Sequence, residues 1–310
     1  MKVISYAIFG EEDFYRKGLK KNIEIAKYLF DDWVLQIRVS NKIDKSFIKS
    51  LESSNTDIII EPDDSSRKMW RMLPMETNYE AVIVRDIDTR LMDRDRILVD
   101  DWINSKYKFH ICRDNPGSEQ PILGGLYGGK CPNLNIKKYW RKWILEKEQQ
   151  IFVWDMGFLK RYVYPQIKND LVVYTENVFY NKEIIRKIPG ERGMFDGRKK
   201  MLGMYCSEDL VSSDDNKSKK YKDFFGQSKN EERKEMIEIE KKFNFNEKKY
   251  FVQKYLFINK YFNKFNLIFD FIFFRLFFFK KYKSHVFLYE FLKRKLLFKN
   301  KKKNEVIIYK

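Results

Sequence analysis

The chain has 310 residues and a formal net charge of +18, but about +12 of that charge lies in residues 250–310. The excess belongs to a tail, so a pI near 9.5 is weak evidence that the main body binds nucleic acid. Three cysteines without metal-ligand spacing fit a reducing compartment, and two histidines, His110 and His285, leave almost nothing to build a zinc site or a histidine triad from. Strand-like runs at residues 3–9, 34–39, 57–61 and 81–85 alternate with helix-like runs at 15–30, 45–51 and 66–73. That βαβ rhythm implies a mostly parallel α/β sheet with flanking helices. A helix over 93–104, a strand over 108–112, a glycine-containing loop over 121–129 and helices over 136–149 and 154–163 follow. The short apolar N-terminus reads as a first strand rather than a signal peptide, and the protein as cytoplasmic.

Residues 211–245 read as a charged linker and 246–310 as a helical tail rich in Lys, Phe and Tyr. Its apolar stretch at 267–279 would span about 20 Å as a helix, short of a bilayer core of roughly 30 Å. It fits a surface anchor that holds the protein peripherally on the inner face of a membrane. Packing onto the main domain and contact with single-stranded nucleic acid are the other readings of this tail.

The most telling stretch is Arg85-Asp86-Ile87-Asp88-Thr89-Arg90. Two carboxylates one residue apart follow a Val/Ile run, at the end of a strand where ligands gather in open α/β sheets. If the segment stays extended, Asp86 and Asp88 point the same way and converge on one hard cation. The bland reading is an exposed turn in which Asp caps local backbone groups.

Around this pair, Met69-Trp70-Arg71-Met72-Leu73-Pro74, Phe109-His110-Ile111-Cys112-Arg113-Asp114, Pro121-Ile122-Leu123-Gly124-Gly125-Leu126-Tyr127-Gly128, Trp154-Asp155-Met156-Gly157 and Met201-Leu202-Gly203 occur in that order. In order and spacing, residues 1–209 resemble a GT-A-type glycosyltransferase family of bacterial surface-polysaccharide clusters and large viruses. The resemblance implies a GT-A-like, Rossmann-like domain over 1–210 and a nucleotide-diphospho-sugar donor held with Mn2+ or Mg2+. It implies Asp86 and Asp88 as metal ligands, with Asp86 alternatively on the donor ribose. Arg71, Arg85, Gly124, Gly125 and Asp114 become candidate donor-binding residues, and Asp155 the candidate catalytic base toward a glycan or lipid-linked acceptor. Met156 stands where the family commonly has Gln, and Glu176 is a weak candidate for a further metal ligand. A haloacid-dehalogenase-type phosphatase and a basic nucleic-acid-binding protein are the rivals. Arg90 two residues after the acid pair and the pair's place on the fourth strand argue against the first. The charge split argues against the second.

Overall fold

The computed structural model describes residues 1–204 apart from 11, 65, 115–119, 147–153, 177, 181–182, 191–193, 196–197 and 200, together with three short strands beyond them. In chain order the first half runs β1 (Lys2–Ile8), α1 (Asp13–Leu29), β2 (Val34–Ser40), α2 (Lys45–Lys49) and β3 (Thr56–Glu61). A 3-10 segment over Arg67–Glu76, β4 (Ala81–Val84) and α3 (Asp93–Ile103) complete it. The second half has β5 (Phe109–Arg113), β6 (Tyr127–Lys130), α4 (Ile136–Glu146) and α5 (Trp154–Phe158). A π-helical turn at Leu159–Val163 leads into α6 (Tyr164–Ile167), β7 (Leu171–Thr175), β8 (Val178–Tyr180) and β9 (Ile184–Arg186). Two-residue strands β10 (Met194–Phe195) and β11 (Arg198–Lys199) pair with each other. Beyond residue 204 lie β12 (Lys249–Phe251), β13 (Leu297–Asn300) and β14 (Glu305–Ile308).

Strands β3, β2, β1 and β4 pair in parallel, and so do β5, β7 and β9. Between the two groups lies β6, antiparallel to both β4 and β5, so β4 and β5 run the same way and end at the same edge. The expected mostly parallel sheet is thus present. The loop over 121–129 is shorter than expected: its last three residues belong to β6. Tyr-Gly-Gly-Lys has little strand propensity. Its glycines are needed, because a Cβ on Gly128 would meet the Ile83 side chain at 2.9 Å and one on Gly129 the Phe109 ring at 2.8 Å.

Alternate residues of the central strands feed two cores. Val82 and Val84 of β4 pack with the 3-10 segment, α4 and α5, while Ala81 and Ile83 pack with α1, α2 and α3. Burial on both faces is why these strands read as unbroken apolar runs. Within 246–310 the described residues form β12, which pairs with β8, and β13 and β14, which extend the sheet past β9. The linker over 211–245 and the expected anchor helix over 267–279 lie outside the described residues. Among the described residues no helix is long and apolar enough to cross a membrane.

Candidate active site

Strand β4 stops at Val84, but Arg85 still donates its amide to Ser5 O (3.1 Å), so the chain keeps its alternation for one more residue. Beyond that it turns instead of staying extended. Thr89 donates to Asp86 O from its amide (3.4 Å) and from its hydroxyl (3.0 Å), closing a tight turn that carries both acids. Helix α1 grips this turn from one side. Buried Asn22 donates to Thr89 O (2.8 Å) and accepts from Leu91 N (3.1 Å). One helical turn earlier, a Cβ on Gly18 would run into Ile87 O. Asn22 and Gly18 were not anticipated. Two poor helix formers four residues apart on one face of a helix are the signal that marks such a close approach.

Arg71, near the middle of the 3-10 segment, joins the turn to the second half of the chain. Its guanidinium donates through Nη1 to Asp86 Oδ1 and through Nη2 to Asp155 Oδ2. Burial would lower its pKa, but the charges of Asp86 and then Asp155 outweigh that and hold it above the ordinary arginine value. Asp155 Oδ1 also accepts from Met156 N (2.9 Å), so the acid is oriented from both of its oxygens. Gly124 and Gly125 close the cluster from the loop before β6. A Cβ on Gly124 would collide with the Arg71 guanidinium and lie 3.1 Å from Asp155 Oδ2, and one on Gly125 would collide with the Asp86 carboxylate. Only glycine allows this backbone to lie so near the acids.

Asp88 shares the turn. Burial first, and then the charge of Asp86, push its pKa up to about 7. Burial and then the charge of Asp88 raise the phenol of Tyr15 on α1 as well. Two hard oxygen donors on one turn suit a divalent cation. Among the described residues no group of three or more His, Cys, Asp or Glu side chains is arranged to hold a metal. Phosphate and water oxygens would have to complete the shell around Asp86 and Asp88.

Two expected donor-binding residues are committed elsewhere. Arg85 is buried, and its fork is used on Asp95 at 2.9 and 2.8 Å, with Nη1 on Val84 O (2.8 Å). Asp114 is fully buried and accepts from Arg94 Nη1 (2.6 Å) and Leu202 N (2.9 Å). The cause is parity along the strands. Arg85 follows Ile83, and Asp114 follows Cys112, onto the face that packs α3, where Asp95 and Arg94 reside. Glu176 is drawn to the same place, 3.2 Å from Arg94 Nη2. Arg71, Asp86, Asp155, Gly124 and Gly125 come together, with Asp88 on the same turn.

No family model matches the chain, and no curated protein does. Among solved structures, it is similar over 56% of its length to the galactosyltransferase LgtC in complex with donor and acceptor sugar analogs, at 13% identity, 73% coverage of that chain and a TM-score of 0.41. A glycosyltransferase involved in glycosylation of the major capsid of PBCV-1 is similar over 56% of this chain and 81% of its own, at 15% identity and a TM-score of 0.38. So is a 4-diphosphocytidyl-2C-methyl-D-erythritol synthase from Anaerococcus prevotii, over 56% and 86%, at 9% identity and a TM-score of 0.38. Likeness at this level assigns no activity.

Proposed function

We propose that the protein is a metal-dependent glycosyltransferase, moving a sugar from a nucleotide-diphospho-sugar donor to a hydroxyl of a glycan or glycolipid. The observation that carries the reading is the meeting of Arg71 with Asp86 and Asp155, against Gly124 and Gly125, at the end of β4. These residues come from four separate segments of the chain, and each is of the type that transfer from a diphosphate needs. Asp86 and Asp88 would hold the divalent cation, whose chemistry there is Lewis-acid stabilisation of the departing diphosphate. Arg71 supplies a planar fork suited to phosphate oxygens, in a partly desolvated position where a fixed charge counts for more than in water. Gly124 and Gly125 let the donor approach the backbone without Cβ obstruction. Asp155, held by Arg71 and the Met156 amide, serves as the base that takes the acceptor's proton.

The reading is tested by thermal-shift titration with a panel of UDP- and GDP-sugars in the presence and absence of Mn2+. Stabilisation should require the metal and vanish in Asp88→Ala. Metal-independent donor binding, or binding that survives in Asp88→Ala, would contradict it.

A further inference from the structure

Beside the Arg71 cluster lies a buried polar group that no contact explains. Among the described residues the Tyr127 hydroxyl, wholly buried, has no hydrogen-bond partner, and neither does Nε of Arg71. A buried hydroxyl without a partner has lost its water and gained nothing in return. Tyr127 opens β6 directly after the Gly124-Gly125 loop and is in register with Val84, the last residue of β4. It shares the core on the Arg71 face of the sheet with Val84. The charged groups that act on it are Arg71, Asp155 and Asp86. An orphaned donor at that spot points to a second arrangement of the cluster in which it is used.

Resting on the diphosphate-sugar reading above, we infer that Tyr127 is a positioning residue whose hydroxyl takes over Asp155 when an anionic ligand draws the Arg71 guanidinium away. A diphosphate, more highly charged than either carboxylate, competes with Asp86 and Asp155 for the Arg71 guanidinium. When Arg71 turns to phosphate, Asp155 Oδ2 loses its partner, and the carboxylate keeps only the Met156 amide on Oδ1. A neutral phenol is the appropriate replacement. It fixes the carboxylate's direction through a hydrogen bond that carries no opposing charge.

Magnesium pyrophosphate serves as the probe, in thermal-shift titrations of the full chain, the Tyr127→Phe and Arg71→Met variants, and Tyr127→Phe in an Asp155→Asn background. Without ligand, Tyr127→Phe should melt at or slightly above the wild-type temperature, because the hydroxyl it removes has no partner. Its affinity for magnesium pyrophosphate should be weaker by about tenfold or more, the loss expected for one hydrogen bond to a charged group. With Asp155→Asn already present, removing the hydroxyl should weaken binding by clearly less, because the carboxamide oxygen accepts the phenol without the carboxylate's charge. A ligand-free melting temperature several degrees below wild type, wild-type affinity in Tyr127→Phe, or an undiminished effect in the Asp155→Asn background would each overturn the inference. Binding lost in Arg71→Met but intact in Tyr127→Phe overturns this inference alone, whereas a wild-type protein that magnesium pyrophosphate does not stabilise overturns the diphosphate reading with it.

Discussion

The two faces of the central sheet treat charge in opposite ways near the strand ends. On one, Arg71 divides a single guanidinium between Asp86 and Asp155, its Nε and the Tyr127 hydroxyl lack partners among the described residues, and burial and the charge of Asp86 raise the pKa of Asp88. On the other, Arg85 closes on Asp95 through two bonds, and Arg94 holds Asp114, which a backbone amide also satisfies. Arg113, back on the first face but deeper, is as closed as these. It grips Glu183 at 2.7 and 2.6 Å and donates to Pro121 O (2.6 Å), while Glu183 also accepts from Tyr164 and from Tyr180 N. Among the described residues, unpartnered buried atoms occur on both faces, including the Tyr6 hydroxyl, Trp102 Nε1 and the His110 ring nitrogens on the α3 side. The clusters differ instead in that Arg71 is shared between two acids while Arg85 and Arg113 each close on one.

Breaking a closed pair should have the largest effect on stability. Arg113→Met leaves the Glu183 carboxylate buried without its cation, and urea unfolding should show a loss of about 3–5 kcal/mol. A loss below about 1 kcal/mol would mean that the pair does not hold the two strands' ends as described. A smaller effect is expected at the junction between fold and site. Asn22→Ala strips two buried backbone groups of the acid-bearing turn of their partners and should cost about 2 kcal/mol in the same assay. Donor turnover should fall as well, because the turn that carries Asp86 and Asp88 loses its clamp. Unchanged turnover in a destabilised variant would restrict Asn22 to the fold.

The smallest effect concerns pH. Burial, reinforced by the charges of Arg85 and Lys130, holds His110 well below the ordinary imidazole value, so the folded protein carries it neutral. The unfolded chain then binds the proton first. The stability that neutral His110 contributes is present above about pH 6.5 and is lost as pH falls through that value toward the depressed one. His110→Phe, which retains ring packing against Trp102, should therefore flatten the acid limb of the stability curve between about pH 6.5 and 5. An equally steep limb in that variant would assign the acid sensitivity to other groups.

Much of this organisation is legible in the sequence, for identifiable reasons. Val/Ile-rich runs mark β1 to β4, largely buried in β1, β2 and β4 and only partly covered in the edge strand β3, and the turn that ends β4 presents its acids at the expected edge. Strand β6 is hidden because its middle is Gly-Gly, chosen for close packing rather than for strand propensity. Strand β7, Leu-Val-Val-Tyr-Thr, carries the apolar signature of the others although the expected elements stop before it. Within the site, Arg71, Gly124, Gly125 and Asp155 follow from residue type and order. Arg85 and Asp114 do not, because a motif read as a string ignores that neighbouring residues of a strand face opposite ways. Counting parity from Val84 and from Ile111 would have sent both to the α3 face. The crossing of Arg71 between two acids 69 residues apart, Asp86 and Asp155, leaves no mark in local pattern at all.

The central claim is that the acid pair on the Asp86–Thr89 turn works on a ligand while Asp114 works for the fold. Stability and metal-dependent sugar-nucleotide turnover, measured side by side for Asp88→Asn and Asp114→Asn at pH 8, test it most directly. Asp88 is destabilising when ionised, since its folded-state pKa is raised to about 7. Asp88→Asn should therefore unfold no more easily than wild type, while its turnover falls by about a hundredfold or more. Asp114→Asn should lose about 2–3 kcal/mol of stability and keep turnover per folded molecule within a few-fold. The reverse pattern, a destabilised Asp88→Asn that still turns over donor beside a stable, inactive Asp114→Asn, would contradict the account.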